Sequence, residues 1–182
     1  MKIIQTERLI LRNFKPEDAA GLLSYLHKPI ASCFLSLALD NIVDANREAV
    51  TRSTQETSIA VCLRTSGKLI GDLFAEPEED TFSVGWNFHP DYGGKGYAFE
   101  AASALFSHLF TERVARRLYA YVEDTNLSSQ RLCERLGMRK EGSFLEFISF
   151  KNDANGVPIY ENTLQYAILK REWLMHSNAA CG

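Results

Sequence analysis

Apolar and polar residues alternate in several short runs of the chain, which is typical of half-buried β-strands. These runs cover residues 3–12, 58–64, 68–75, 81–88, 118–122, 144–150 and 164–169. Ser66-Gly67 separates the second run from the third and favours a tight turn, so that pair of strands is predicted to form a β-hairpin. An acidic turn over 76–80 is expected before the next strand.

Apolar residues spaced three or four apart predict helices between these strands. The helices cover 19–26, 97–113 and 129–136. Pro16 followed by two acids marks the start of the first helix, Asn126 and Ser128 can cap the third, and Gly137 ends it. Residues 30–56 are expected to be partly helical, with bounds that the pattern does not fix. The elements predict a mixed α/β or α+β layered fold, in which a strand–loop–helix unit interrupts a mainly antiparallel sheet.

The length and composition fit one soluble domain. The 182 residues carry a net charge of −3 without a block of lysine or arginine, which argues against a nucleic-acid partner. No apolar run approaches the roughly 20 residues that span a bilayer, and the charged start MKIIQTERLILR does not resemble a signal peptide. The four cysteines lack CxxC spacing, so reduced thiols and a cytoplasmic location are expected and no metal is implied. We expect one domain over 1–182, with 174–182 as a loose tail.

The stretch HPDYGGKGYAFEAA, residues 89–102, places three glycines between a predicted strand and a predicted helix. The first turn of a helix has unpaired N–H groups and a partial positive charge. Glycines allow positive φ angles, so that successive amides can point into one hollow that suits a phosphate. Lys95 adds a cation at its rim. A tight turn before a small-residue helix is the alternative interpretation.

Two common nucleotide motifs fail on spacing in this stretch. GxxxxGK[ST] requires a hydroxyl after the lysine, but Gly96 follows Lys95. GxGxxG would require glycine at position 99, where the chain has Phe99. Neither motif therefore identifies the phosphate ligand.

The residues 93–98 resemble a different pyrophosphate loop, the [QR]xxGx[GA] pattern of the GNAT superfamily of acyl-CoA-dependent N-acyltransferases. Gly96 and Ala98 match that pattern, and Gly93 stands where the family often has Gln or Arg. The segment TERLILR at 6–12 resembles the TERLxLR opening of the ribosomal-protein N-terminal acetyltransferase (RimJ/RimL-like) branch. Residues 126–138 resemble its NxxSxxxxEKLGF segment, and the tail from 156 to 173 resembles its closing YAxL and EW pattern.

The resemblance implies a GNAT-like fold, with helices on both faces of a twisted sheet, and acetyl-CoA as the co-substrate. The coenzyme is expected between the neighbouring parallel strands 81–88 and 118–122, with its pantetheine arm along the backbone at Phe88 and His89. The pyrophosphate and its surroundings are assigned to the loop, and Asn126 is expected to bind the coenzyme, to cap the helix, or both. The loop residues implied are Gly93, Gly94, Lys95, Gly96, Tyr97 and Ala98.

The implied reaction is direct acetyl transfer to a primary amine, which is either a peptide N-terminus or a small amine. The departing thiolate needs a proton donor, and many family members have Tyr where this chain has Cys133. Ser129 is our predicted donor and a further coenzyme contact, unless it is only a helix-start residue. Cys133 as an acyl-carrying nucleophile is the less favoured alternative, since no histidine lies near it in the sequence.

The general base is assigned to Glu76, with Asp72, Glu146 and His89 as alternatives. The three carboxylates have a simpler interpretation as charges at the edges of strands. Glu100, in the helix after the glycines, is interpreted as structural.

Asn162 stands where the branch usually has Asp, and Tyr160 replaces the usual Trp, so a cationic acceptor pocket is not carried over from the resemblance. The absent Tyr and Asp leave a catalytically idle CoA-binding module as the alternative function. Exposed apolar strand edges near the C-terminus suggest a homodimer.

Overall fold

A computed structural model describes residues 2–29 and 31–179, and the backbone alone over 176–179. The eight strands are β1 (Ile4–Gln5), β2 (Leu9–Asn13), β3 (Ser58–Leu63), β4 (Leu69–Glu78), β5 (Thr81–Phe88), β6 (Arg117–Glu123), β7 (Arg139–Asn152) and β8 (Pro158–Leu169). The five α-helices are α1 (Ala19–Leu26), α2 (Ile42–Ser53), α3 (Tyr97–Thr111), α4 (Leu127–Arg135) and α5 (Lys170–Ala179). No described helix is both long and apolar enough to cross a membrane.

The strands form one sheet in the order β1-β2-β3-β4-β5-β6-β8-β7. Strands β5 and β6 pair in parallel, with Thr81 opposite Arg117 and Ser83 opposite Tyr119. The β1–β2, β2–β3, β3–β4, β6–β8 and β7–β8 ladders are antiparallel. The predicted mixed, mainly antiparallel sheet is therefore confirmed, including the parallel pair at its centre.

The chain divides into two compact units. The first comprises Met1–Ala75 and Gly85–Leu105, and the second Glu76–Val84 and Phe106–Gly182. In the first unit, α1 and α2 share one apolar cluster with residues of β3 and β4. Its buried members include Phe14, Leu22, Tyr25, Leu26, Ala45, Ala49 and Cys62. In the second unit, the ring of Trp173 in α5 lies 5.6 Å from that of Phe106 and 6.2 Å from that of Phe110.

Several predicted bounds were wrong, including the helix bounds 97–113 and 129–136, where α3 ends at Thr111 and α4 covers Leu127–Arg135. The run at 3–12 is two paired strands, because the amide of Thr6 donates to the carbonyl of Leu9 and closes a turn between them. The acidic turn is shorter than 76–80, since β4 continues to Glu78 and only Glu79, at φ 57°, and Asp80 make the turn. Strands β7 and β8 extend well beyond 144–150 and 164–169.

The helix α5 is a further difference from the prediction. It includes residues 174–179, which were expected in a loose tail, while 180–182 lie outside the described residues. The expectation of one domain over 1–182 stays a prediction.

Candidate active site

The glycine loop, residues 93–98, connects β5 to α3 in the first unit. The carbonyl of Gly96 accepts the first helical hydrogen bond of α3, from the amide of Glu100 at 3.0 Å. Gly94 and Gly96 take φ angles of +71° and +81°, a region that residues with a Cβ rarely adopt. These glycines therefore shape a backbone that other residues would strain.

The amides of this loop are available to a ligand. The Gly93 amide is used inside the chain, since it donates to the carbonyl of Pro90 at 2.9 Å. Within the described residues, no acceptor takes a hydrogen bond from the amides of 94–98. A Cβ placed on Gly94 would meet no atom within 4 Å, so the space beside it is open. Five successive amides at the positive end of a helix suit a diphosphate.

The segment before the loop is already hydrogen-bonded. The amide of His89 donates to the carbonyl of Ile70 at 2.9 Å, and the carbonyl of His89 accepts from the amide of Tyr92 at 2.9 Å. The His89 ring nitrogen Nδ1 accepts from the amide of Asp91 at 3.2 Å. These bonds contradict the expectation of free backbone groups at His89, because its amide is already used and its carbonyl oxygen has only a second lone pair left for a pantetheine arm.

Aromatic and basic side chains surround the loop. The Lys95 ammonium donates to the carbonyl of Asp91 at 2.8 Å and lies 5.6 Å from the centre of the Tyr92 ring. The Arg8 guanidinium lies 4.4 Å from the centre of the Tyr97 ring. Lys95 thus supplies the predicted cation, and Arg8 is a second cation beside the loop that was not predicted from the sequence.

Glu100 has the structural role that the sequence predicted. Its carboxylate accepts from the Thr6 hydroxyl at 2.6 Å, the Arg8 amide at 2.9 Å and the Arg8 Nε at 2.6 Å. Burial opposes the charged form, but these hydrogen bonds outweigh it and lower the pKa of Glu100. We call this set of bonds from Thr6 and Arg8 to the Glu100 carboxylate the clamp. Both donors belong to the TERLILR segment, so that motif contained the residues of the clamp.

In the second unit, Asn126 caps α4. Its side-chain oxygen accepts from the amide of Ser129 at 3.1 Å and from the hydroxyl of Ser128 at 2.8 Å. The predicted cap is therefore confirmed at Asn126, while Ser128 is the second residue of the helix and not its cap. Ser129 is half-buried on the first turn of α4, and Gly137, at φ 77°, follows the helix end as expected.

Cys133 is unsuited to the role of an acyl-carrying nucleophile. The residue is fully buried, and burial raises the pKa of its thiol to about 12. A thiol with that pKa is protonated at neutral pH, so it is a poor nucleophile.

The candidate bases differ in their surroundings. Asp72 is buried in the first unit, where it accepts from the Tyr25 hydroxyl at 2.7 Å and lies 3.3 Å from Nη1 of Arg52. Burial raises the pKa of Asp72, and the neighbouring Arg52 opposes that rise. Asp72 is thus a core residue. Glu76 is exposed on β4, and within the described residues its carboxylate forms no hydrogen bond or ion pair.

Asn162 organises an irregular segment of β7. Its side-chain oxygen accepts from the amide of Glu146 at 2.9 Å, and its amide nitrogen donates to Oδ2 of Asp124 at 2.9 Å. Glu146 has a φ of 48° and lies in a break of the β7–β8 register between Phe144 and Ile148. Beside this bulge, the Phe144 and Phe147 rings both contact Tyr121.

Comparisons with known proteins identify the family. The model of the acetyltransferase (GNAT) domain matches residues 8–139. A Bacillus subtilis (strain 168) protein named uncharacterized N-acetyltransferase YnaD is 30% identical over 93% of this chain and 98% of its own.

Solved structures share the fold. The GNAT-family acetyltransferase from Bacillus anthracis is 28% identical, with a TM-score of 0.84 over 93% of this chain and 99% of its own. The ribosomal-protein-S5-alanine acetyltransferase from Vibrio fischeri, at 17% identity, has a TM-score of 0.72 over 95% of this chain and 99% of its own. The chain therefore belongs to the GNAT family of acetyltransferases, and it is an N-acyltransferase that uses acetyl-CoA.

Proposed function

We propose that the protein transfers an acetyl group from acetyl-CoA to a primary amine, either a peptide N-terminus or a small amine, by direct transfer in a ternary complex. The observation that carries this proposal is the row of amides at 94–98, which have no acceptor within the described chain. These amides, with Lys95, would hold the pyrophosphate. The Asn126 side chain can contact the coenzyme through its nitrogen while its oxygen caps α4.

The chemistry has three requirements. The amine must be neutral, so that its nitrogen can form the new N–C bond to the acetyl carbon while the C–S bond breaks. The amine then loses a proton, and the departing sulfur gains one. Acetyl-CoA supplies the activated acetyl group, and the protein has to supply the proton acceptor, the proton donor and the alignment of the two substrates.

We assign the proton donor to Ser129 and the acceptor to Glu76. Two observations support Ser129: Cys133, which replaces the family's tyrosine, is buried, and the amide of Ser129 is fixed by the Asn126 cap. Glu76 is supported over Asp72 because it is exposed, whereas Asp72 is enclosed by Tyr25 and Arg52. Glu146 is the second candidate base, since it too is exposed.

The demand on the base depends on the acceptor. A free α-amine has a pKa of about 8, so a sizeable fraction is neutral at physiological pH, whereas about 0.1% of a lysine side chain is neutral. A peptide N-terminus therefore needs less help from a base than a lysine or a polyamine does. We expect turnover to be faster with α-amines.

A thiol-release assay tests the proposal. Purified protein is mixed with acetyl-CoA and a panel of N-terminal peptides, lysine derivatives, polyamines and small amines, and free CoA is measured. We expect thiol release with at least one primary amine and acetylation of that amine by mass spectrometry. Tight CoA binding without turnover on any amine would support the idle module instead.

The catalytic assignments are tested with the best acceptor from that panel. Ser129→Ala should lower kcat about 100-fold, within the range for a lost general acid, while the KM for acetyl-CoA changes little. Glu76→Gln should shift the rise of kcat to higher pH. An unchanged kcat in Ser129→Ala would remove Ser129 from the donor role, and an unchanged pH profile in Glu76→Gln would favour Glu146.

A further inference from the structure

We propose that Arg8 is a positioning residue of the glycine loop, and that its guanidinium fixes the Lys95–Gly96 peptide so that the Gly96 amide faces the diphosphate. This inference rests on the proposed function of the loop. Arg8 lies in the turn between β1 and β2, far from the loop in the sequence. Its role would make that turn part of the coenzyme site.

The contacts of Arg8 bridge the junction between loop and helix. Its Nη1 donates at 3.0 Å to the carbonyl of Lys95, which lies two residues before the start of α3. Its Nε donates to Oε2 of Glu100 at 2.6 Å, and its backbone amide donates to Oε1 at 2.9 Å. One side chain thus holds both the end of the loop and the first turn of the helix.

The bond from Arg8 to the Lys95 carbonyl also sets the direction of the Gly96 amide. The described residues contain no cis peptide bond, and in a trans peptide the C=O and N–H groups point in opposite directions. Because the Lys95 carbonyl points to Arg8, the Gly96 amide in the same peptide unit points away from it. That amide is one of the five without an acceptor in the described chain.

Arg8 also lies beside the Cα atom of Gly96. A Cβ built on Gly96 would lie 3.4 Å from Nη2 of Arg8, so the guanidinium covers the side where a side chain would project. The guanidinium in turn lies over the Tyr97 ring, at 4.4 Å from its centre. Its place is therefore set on three sides, by a carboxylate, a carbonyl and an aromatic ring.

Lysine could not reproduce this arrangement. The planar guanidinium directs separate N–H groups at Glu100 and at Lys95 in a fixed fork, whereas an ammonium is a point charge on a flexible stem. Arg8→Lys keeps the positive charge but loses the fork. It therefore separates positioning of the loop from simple electrostatic attraction of a phosphate.

Thr6 offers a matched control. Its hydroxyl donates to Oε1 of Glu100 at 2.6 Å, so Thr6→Val also weakens the clamp on that carboxylate. No contact with the Lys95 carbonyl is lost, because that bond comes from Arg8. Thr6→Val also removes the bond that the Thr6 hydroxyl accepts from the Leu9 amide at 3.0 Å, so its stability is measured beside that of Arg8→Lys. The variants differ in that only Arg8→Lys changes the side chain that holds the loop.

The experiment measures binding of CoA, and of inorganic pyrophosphate alone, by titration calorimetry, with urea unfolding as the measure of stability. We expect Arg8→Lys to raise the Kd for both ligands about tenfold, corresponding to one weakened charge-assisted hydrogen bond, and Thr6→Val to leave both within twofold. If Arg8→Lys does not fold, Arg8→Gln replaces it, and binding is then measured at low and high salt, because the effect of the lost charge is screened by salt.

Two failures are distinguishable. If the unaltered protein does not bind CoA, the proposed function of the loop fails. If it binds CoA and either Arg8 variant binds as tightly, or if Thr6→Val weakens binding equally, the positioning role of Arg8 is overturned while the function stands.

Discussion

Gly94 allows the sharpest test of the glycine loop, because the chain contains a matched glycine elsewhere. Gly94 and Gly67 both have a φ of 71°, and a Cβ added to either would meet nothing within 4 Å. Alanine in a left-handed conformation costs about 1–2 kcal/mol at each position. Gly94→Ala and Gly67→Ala should therefore lower the free energy of unfolding by similar amounts.

The two substitutions should differ in their effect on CoA binding. Open space beside Gly94 is where we place the phosphates, so a methyl group there would displace one phosphate from its amide. Loss of one hydrogen bond to a charged group corresponds to about 1.5–3 kcal/mol, or about a 10- to 150-fold rise in Kd. Gly67 lies in the turn between β3 and β4, and its amide already donates to the carbonyl of Leu63 at 2.8 Å, so it is not one of the open amides.

Titration calorimetry with CoA measures the Kd, and urea unfolding of the same samples measures stability. The reasoning predicts equal losses of stability and unequal losses of affinity. Equal CoA affinities for Gly94→Ala and Gly67→Ala would refute it, because the open amides of the loop would then not be the phosphate site.

Three further predictions concern residues around the site and in the core. Cys133→Ala should keep kcat within a few-fold, and mass spectrometry of the unaltered protein with acetyl-CoA should detect no acetylated enzyme, because the thiol is buried and its pKa is about 12. A loss of kcat above 100-fold in a folded variant would contradict this. Hydrogen bonds lower the pKa of Glu100 in the folded state despite partial burial, so its stabilising effect is complete above the ordinary value of 4.5 and is lost as the pH falls through the folded-state pKa. Urea unfolding between about pH 3 and 6 should therefore show a shallower acid decline for Glu100→Gln, and parallel curves would contradict that sign. Arg52→Met should lower the free energy of unfolding by about 3–5 kcal/mol, because it leaves Asp72 charged, buried and without its cation. A loss below about 1 kcal/mol would show that Arg52 and Asp72 do not form a buried ion pair.

Local signals predicted the central part of the fold well. The strand at Thr81–Phe88 has the predicted bounds, and β3 differs from its prediction by one residue. In both strands, successive side chains point to opposite faces of the sheet, and the matching alternation of apolar and polar residues is visible in the sequence. The glycine loop was predictable for a related reason, because the positive φ angles at Gly94 and Gly96 are permitted by the residue type at each position.

The turn between β1 and β2 and the bulge in β7 were not predicted, because both depend on contacts with residues far away in the sequence. The run at 3–12 alternates well enough for one strand and contains no glycine or proline before Pro16, yet it turns at Thr6. That turn is held by Glu100, which follows more than 90 residues later. No window on the local sequence could reveal such a contact. The bulge in β7 is similar, because the amide of Glu146 depends on a side chain of β8.

The substitution at Asn162 shows why a motif comparison can mislead about charge. From the sequence, asparagine in place of the usual aspartate reads as a lost negative charge on the acceptor side. In the structure, the Asn162 amide donates to Asp124 and its oxygen accepts from the Glu146 amide, two opposite roles that an ionised aspartate could not fill together. An aspartate there would face the Asp124 carboxylate at hydrogen-bonding distance and repel it. With asparagine at position 162, the Asp124 carboxylate has a hydrogen-bond donor beside it and no second carboxylate. One negative charge therefore stays in this segment, and the substitution is no argument against a positively charged acceptor.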